Sequence, residues 1–137
     1  MVTRANIISA AQEEIGYSRW ADDEAGSKYG RWYAQVTGSP SFGASGVPYC
    51  DMFVSYVLAK VGINWVSAYV PSREAQARAR GVLIDKWDVR PGDLMTFDFD
   101  GEGIAQHIGI VEQPPNSAGV FYSIDGNTTW GTGGPQD

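Results

Sequence analysis

The chain has 137 residues and a net charge of −6, with 43% hydrophobic and 19% charged residues, which predicts one globular domain. Its one cysteine and one histidine exclude a disulfide framework and any zinc site built from several such ligands. Sixteen acidic residues against ten basic ones argue against a nucleic-acid binder, because that function needs clustered Lys and Arg.

The first half of the chain predicts helices. Apolar residues at helical spacing predict a first helix over 4–15, with Gly16 as its stop. Residues 16–48 are rich in Gly, Ser, Pro and aromatic residues, and we expect them to be mostly loop. A second helix is predicted over 50–61. Its buried stripe consists of Phe53, Val54, Val57, Leu58 and Val61.

A short third helix is predicted over 72–80, with Ser72 as its N-cap after Pro71. Its Arg and Glu content predicts an exposed face. From Arg90 onward the pattern changes to turns and strands. Three strands are predicted, and they run from Leu94 to Phe99, from His107 to Glu112 and from Val120 to Asp125. Helices followed by antiparallel strands indicate an α+β fold, with residues 1–130 as the domain and 131–137 as a Gly/Pro-rich tail or linker.

Cys50 is the first candidate for chemistry. A lone cysteine is most often a small buried hydrophobe. Cys50, however, opens the second predicted helix, where the helix dipole and the free N–H groups favour a thiolate. The same N–H groups could hold an oxyanion.

His107 is the only histidine and therefore the only candidate base for Cys50, although it could also be an ordinary surface or core residue. Strand alternation places His107 and Gly109 on one face, and the glycine leaves room beside the imidazole. Asp125 and Asn127 lie two residues apart and would share a face with Ser123 in an extended segment. They predict either an Asp-Gly-Asn turn or a group that orients the imidazole.

Two acidic clusters could suggest metal binding. Asp98 to Gly103 looks like part of a calcium loop but lacks the final bidentate Glu, so a hairpin loop is the better interpretation. The cluster of Asp22, Asp23 and Glu24 is typical of a solvated face. We expect no metal and no cofactor. Five Trp and seven Tyr residues suit an aromatic groove for a glycan or peptide, with Tyr49, Trp32 and Trp130 as expected substrate contacts.

Four segments together resemble the CHAP domain family, the cysteine- and histidine-dependent amidohydrolases/peptidases. The resemblance covers about residues 3–129. It rests on Pro48-Tyr49-Cys50-Asp51-Met52-Phe53-Val54-Ser55-Tyr56, on Pro91-Gly92-Asp93-Leu94 through Asp98 to His107-Ile108-Gly109-Ile110-Val111-Glu112, on Ser123-Ile124-Asp125-Gly126-Asn127-Thr128, and on Lys28-Tyr29-Gly30-Arg31-Trp32-Tyr33. The last stretch looks like members from actinobacterial phages and their hosts.

The resemblance implies a papain-like fold and hydrolysis of an amide bond in peptidoglycan, either the N-acetylmuramoyl-L-alanine bond or one within the stem or bridge peptide. It implies Cys50 as nucleophile, His107 as base, Asp125 as the group that orients the imidazole, and Asn127 as a supporting residue. The family more often has Glu where Asp125 stands. Some relatives bind calcium through acids just before the nucleophile, and residues 39–49 contain none.

The start of the chain has no apolar run of signal-peptide length, and no stretch approaches the ~20 apolar residues that span a bilayer. We therefore expect a monomer that does not insert into membranes and that acts at the bacterial cell wall. It would be made in the cytoplasm of a phage-infected host, or be part of a larger exported or virion protein, with a separate wall-binding module as a further partner. Two alternatives are a non-catalytic domain that binds cell wall or glycan, and a different thiol protease.

Overall fold

A computed structural model of the protein describes residues 2–127. Trp130 and the 131–137 tail therefore lie outside the described residues. Within 2–127, four α-helices precede three β-strands. The helices are α1 (Arg4–Gln12), α2 (Lys28–Thr37), α3 (Cys50–Lys60) and α4 (Val70–Ala79), and the strands are β1 (Leu94–Phe97), β2 (His107–Gln113) and β3 (Tyr122–Ile124). The predicted α+β class is confirmed.

Helix α1 begins at a capping box. The Thr3 hydroxyl accepts from the backbone N–H of Asn6, and the Asn6 side chain accepts from the backbone N–H of Thr3. The helix ends at Gln12, before the predicted end at residue 15, and Ile15 is exposed. The buried part of its apolar face is formed by Ala10 and Ala11, which join the core.

Residues 16–48 were predicted to be mostly loop, and this prediction missed α2, which lies within them. The Ser27 hydroxyl caps this helix by accepting from the N–H of Gly30, and Gly38 ends it in the left-handed conformation with φ 72°. Ten residues separate the two signals, in a segment dense in glycine and aromatic residues. Short 3₁₀ turns at Arg19–Ala21 and Pro40–Gly43 flank the helix.

Helix α3 is the centre of the core. Its predicted buried stripe is confirmed at Phe53, Val54, Val57 and Leu58, whereas Val61 is the C-cap and is only half-buried. Eight of its eleven residues are buried, including all of Cys50–Ser55. It packs against α2, α1 and the middle strand β2. The apolar face of β2 that meets it carries Ile108 and Ile110, which are almost fully buried.

Helix α4 begins at Val70, two residues before the predicted start. Tyr69 and not Ser72 is its N-cap, and Pro71 occupies the first turn, where its missing N–H costs no hydrogen bond. The predicted exposed face is also wrong at Arg73, which is only 2% exposed. Its guanidinium is buried because it pairs with Asp51 on α3.

The strands form one antiparallel sheet in the order β1-β2-β3. Phe97 lies opposite His107 at one end of the β1–β2 ladder, and Ile110 pairs with both Leu94 and Ile124. The β2–β3 register shifts between Val111 and Gln113. The predicted hairpin loop after β1 is confirmed. Strands β1 and β3 are shorter than predicted, because β1 ends at Phe97 and β3 spans only three residues, whereas β2 runs one residue further than predicted, to Gln113.

Candidate active site

Cys50 is the first residue of α3 and is 8% exposed. Its position follows from the sequence, because the Pro48-Tyr49 segment ends the preceding loop and the apolar stripe of α3 begins immediately afterwards. The first backbone N–H groups of a helix have no intrahelical acceptor. The thiol therefore lies beside free donors and at the positive end of the helix dipole.

His107 is the first residue of β2, and its side chain interacts with both of its candidate partners. Its Nε2 lies 2.8 Å from Oδ2 of Asp125, and Cys50, which lines the same cleft as His107, is near enough to the ring to raise its pKa. Because Asp125 occupies Nε2, Nδ1 is the nitrogen left for the sulfur. The structure thus brings Cys50, His107 and Asp125 together in one chain of contacts.

The environment of His107 favours the imidazolium. Burial of the ring lowers its pKa, but the hydrogen bonds to Asp125 and Cys50 and the charges of both partners outweigh burial and raise the pKa to about 9. The side chains of His107 and Asp125 are 11% and 14% exposed, so water screens their attraction only weakly. The ring is therefore protonated at neutral pH.

Gly109 makes room for Asp125. A Cβ atom at residue 109 would lie 2.6 Å from the carboxyl carbon of Asp125 and closer still to Oδ1. The predicted space beside the imidazole therefore exists, and the carboxylate that holds the imidazole fills it. Oδ1 is buried and makes no hydrogen bond within residues 2–127, so Oδ2 carries the contact to His107.

Asn127 also lines the cleft, although it lies beyond the end of β3. The predicted extended segment does not continue to this residue, because β3 ends at Ile124 and Asn127 is left-handed with φ 56°. This conformation is one that asparagine tolerates better than most residues. The Asn127 Oδ1 accepts from Nη1 of Arg19 at 3.4 Å, while Asp125 alone of the two bonds to His107. Sequence reasoning missed Arg19.

A cleft of about 420 Å³ opens at this point. Its lining contains Cys50, His107, Asp125 and Asn127 together with uncharged neighbours. Those neighbours are Pro48, Phe97, Phe99, Gln106, Phe121 and Ser123. Ser123, Asp125 and Asn127 all line it, as predicted for one shared face, although a turn rather than a strand places the last of them.

Two of the aromatic residues expected to contact substrate, Tyr49 and Trp32, lie outside the cleft lining. Tyr49 is 1% exposed and stacks on Tyr29 in the core, with a ring-centre distance of 5.6 Å. Trp32 packs edge-on against Tyr56. Neither belongs to the lining of the cleft around Cys50.

In each acidic cluster, a carboxylate bonds to neighbouring groups of the protein. In the hairpin loop, the Asp98 carboxylate accepts from the N–H groups of Gly101 and Gly103. Asp22 pairs with Arg31 and accepts from Tyr17, which holds the pKa of Asp22 at about 2, so it is not simply a solvated acid. Over residues 2–127 no group of three or more His, Cys, Asp and Glu side chains could hold a metal ion.

A buried ion pair that was not predicted from the sequence joins the start of α3 to α4. Arg73 donates from Nε to Asp51 and from Nη2 to the Ser55 hydroxyl at 2.7 Å, and it stacks on Trp65. Asp51 adjoins Cys50, so this pair fixes the helix turn that carries the thiol. An Arg among the polar residues of a short helix is too common a pattern to predict such a pair.

Residues 40–127 match the family model for the CHAP domain. This segment is more than half of the chain and contains Cys50, His107, Asp125 and Asn127. The comparisons with curated proteins and with solved structures give no match. No helix in the described part of the chain is long and apolar enough to cross a membrane. The chain therefore belongs to the CHAP domain family, the cysteine- and histidine-dependent amidohydrolases that act on peptidoglycan.

Proposed function

We propose that this chain hydrolyses an amide bond between the glycan and the peptide, or within the peptide, of bacterial peptidoglycan, with Cys50 as nucleophile. The observation that carries the proposal is the chain of side-chain contacts from Cys50 through His107 to Asp125 at the floor of an open cleft. Family membership supports the choice of peptidoglycan as substrate.

The first half of the reaction forms a thioester. The Cys50 thiolate attacks the amide carbonyl carbon, and the N–H groups at the start of α3 stabilise the oxyanion. The His107 imidazolium gives its proton to the leaving amine as the C–N bond breaks. The products of this step are a free amine and an acyl group bonded to the Cys50 sulfur.

The second half restores the enzyme. The now neutral His107 takes a proton from water, and the resulting hydroxide attacks the thioester carbonyl. Collapse of the intermediate releases the carboxylic acid and the thiolate, and the proton stays on His107. Asp125 holds the ring in the orientation that both steps need and stabilises its positive charge. No step requires a metal or cofactor.

The phage origin is part of the same proposal. The Lys28–Tyr33 segment resembles members of actinobacterial phages and their hosts, which supports a phage lysin or its catalytic module. Lysis or virion genes beside the coding sequence are the expected finding, and a bacterial cell-division or wall-maintenance neighbourhood would contradict this part of the proposal.

The central test is the release of new termini from purified cell walls. Wild-type protein is expected to solubilise walls, and Cys50→Ala and Cys50→Ser are expected to abolish this while circular dichroism shows an unchanged fold. Iodoacetamide is expected to inactivate the enzyme and EDTA to leave it active. Clearance by Cys50→Ala at the native rate would exclude the thiol mechanism. Wall binding without cleavage by the wild type would favour the binding-domain alternative.

A further inference from the structure

One wall of the cleft is an aromatic platform next to His107, formed by Phe97, Phe99 and Phe121. The Phe97 ring is nearly parallel to both others, with interplanar angles of 9° to Phe99 and 18° to Phe121 and ring centres 5.9 and 5.8 Å away. The imidazole of His107 lies 5.8 Å from the Phe97 ring and 6.0 Å from the Phe99 ring, centre to centre. The platform therefore begins beside the reacting atoms.

Phe99 gives the platform a solvent-exposed edge, whereas Phe97 and Phe121 are half-buried. The Phe99 residue is 72% exposed, and all three residues line the cleft. The hydrophobic core of α3 and β2 does not include them. The exposed Phe99 and its two half-buried neighbours line the cleft without joining the core cluster, which points to a ligand as the reason for their placement.

The charge of the cleft lining indicates which part of the substrate fits against the platform. Around the platform the lining residues are Pro48, Gln106, Ser123 and Asn127, and the charged side chains of the lining are those that form the His107–Asp125 pair. A stem peptide carries carboxylates and would call for a basic side chain at the subsite that holds it. An N-acetylated pyranose carries no charge.

The face of a phenyl ring carries partial negative charge and attracts C–H groups that neighbouring oxygens polarise. The axial C–H groups of a pyranose form such a face. In peptidoglycan only a lactyl ether separates the muramoyl ring from the amide carbonyl that joins it to L-alanine. A ring stacked on the platform would therefore present that carbonyl to Cys50.

We propose that the platform formed by Phe97, Phe99 and Phe121 is a subsite for the N-acetylmuramoyl sugar, and that the bond cleaved is the amide between this sugar's lactyl group and L-alanine. This inference rests on the proposed function and narrows it from several amide bonds to one. Phe99, as the most exposed of the three, is the residue that determines this specificity without touching the reacting atoms.

Two substrates with the same scissile amide test the subsite. One is N-acetylmuramoyl-L-Ala-D-isoglutamine, and the other is the matching lactyl-peptide without the sugar. Phe99→Ala is expected to lower kcat/KM on the sugar substrate about tenfold, on the scale of one aromatic stacking contact. On the lactyl-peptide it is expected to change kcat/KM less than twofold. Phe99→Trp is expected to retain activity on both.

Trp87→Ala is the matched control, because Trp87 is another exposed aromatic residue, 60% accessible, outside the cleft. It is expected to leave both rates unchanged. Equal losses on both substrates with Phe99→Ala, or no loss on either, would overturn the sugar subsite. Mass spectrometry of wall digests that finds cuts only within the peptide would overturn it too, while the cysteine mechanism would stand. Absence of any wild-type cleavage would instead overturn the proposed function.

Discussion

Gly109 lies so close to the carboxylate of Asp125 that any larger residue at 109 would collide with it. A methyl group at residue 109 would come within 2.6 Å of the carboxyl carbon, well inside ordinary contact distance. Asp125 in turn holds Nε2 of His107. The glycine therefore leaves space for the carboxylate that holds the His107 imidazole.

Gly109→Ala is accordingly expected to lower kcat about 10- to 1000-fold, the scale of a lost positioning contact. The methyl group would displace the carboxylate and lower the pKa of His107. Gly43→Ala is the matched control, because a Cβ there meets nothing closer than 3.5 Å, and it is expected to keep native activity. Turnover on a defined muropeptide and thermal unfolding would be measured for both. A fully active Gly109→Ala protein would contradict the role of Asp125.

The pH dependence follows from the pKa of His107, which is raised to about 9. The imidazolium is lost as the pH rises through 9, so kcat/KM is expected to fall there. The free energy of unfolding is expected to fall over the same pH range. The contribution of the His107 interactions is complete below the ordinary pKa of about 6.5 and is lost as the pH rises through 9.

The chain has one histidine, so a single NMR resonance would report this pKa directly. Asp125→Asn and Cys50→Ala are each expected to lower it, because each removes a negative partner of the ring. A wild-type midpoint near 6.5 would show that the three side chains do not interact as described.

Asp125 and Asn127 are expected to differ in their effects. Asp125→Ala removes the only partner of Nε2 found in residues 2–127 and should cost about 10- to 1000-fold in turnover. Asn127→Ala should also lie within this range but cost less than Asp125→Ala, because the Asn127 side chain bonds to Arg19 and not to the imidazole. His107→Ala should cost more than either. Rates on one muropeptide rank the three.

Arg19→Ala offers a separate check on Asn127. If the guanidinium orients the Asn127 amide, Arg19→Ala should reproduce most of the Asn127→Ala loss, and the double variant should be no worse than Asn127→Ala. Additive losses would mean that the two residues act independently.

Arg73→Ala is expected to lower the free energy of unfolding by about 3–5 kcal/mol, because it leaves the Asp51 carboxylate buried without its cation. The control on the same helix is Arg78→Ala, whose partner Glu74 lies 3.6 Å away and whose side chain is 68% exposed, and it should change stability by less than about 0.5 kcal/mol. Urea unfolding measures both. Equal effects would contradict the importance of the buried pair.

The sequence by itself determined the features that short-range patterns encode. The apolar period of residues 50–61 predicted α3 and placed Cys50 at its start, since periodicity and helix ends are local properties. Alternation and turn residues predicted the strands around His107 and the hairpin loop before it. Counting residue types left one thiol and one imidazole, so these two candidates needed no structure.

Only the tertiary structure decided how those groups are paired. Asp125 and Asn127 looked equivalent in an extended segment, but the strand ends at Ile124 and the turn that follows sends Asn127 towards Arg19. Arg73 looked like a surface residue, because a charge becomes buried only where a partner from a distant element meets it. The platform formed by Phe97, Phe99 and Phe121 likewise depends on the pairing of strands that lie far apart in the chain. No local pattern contains that information.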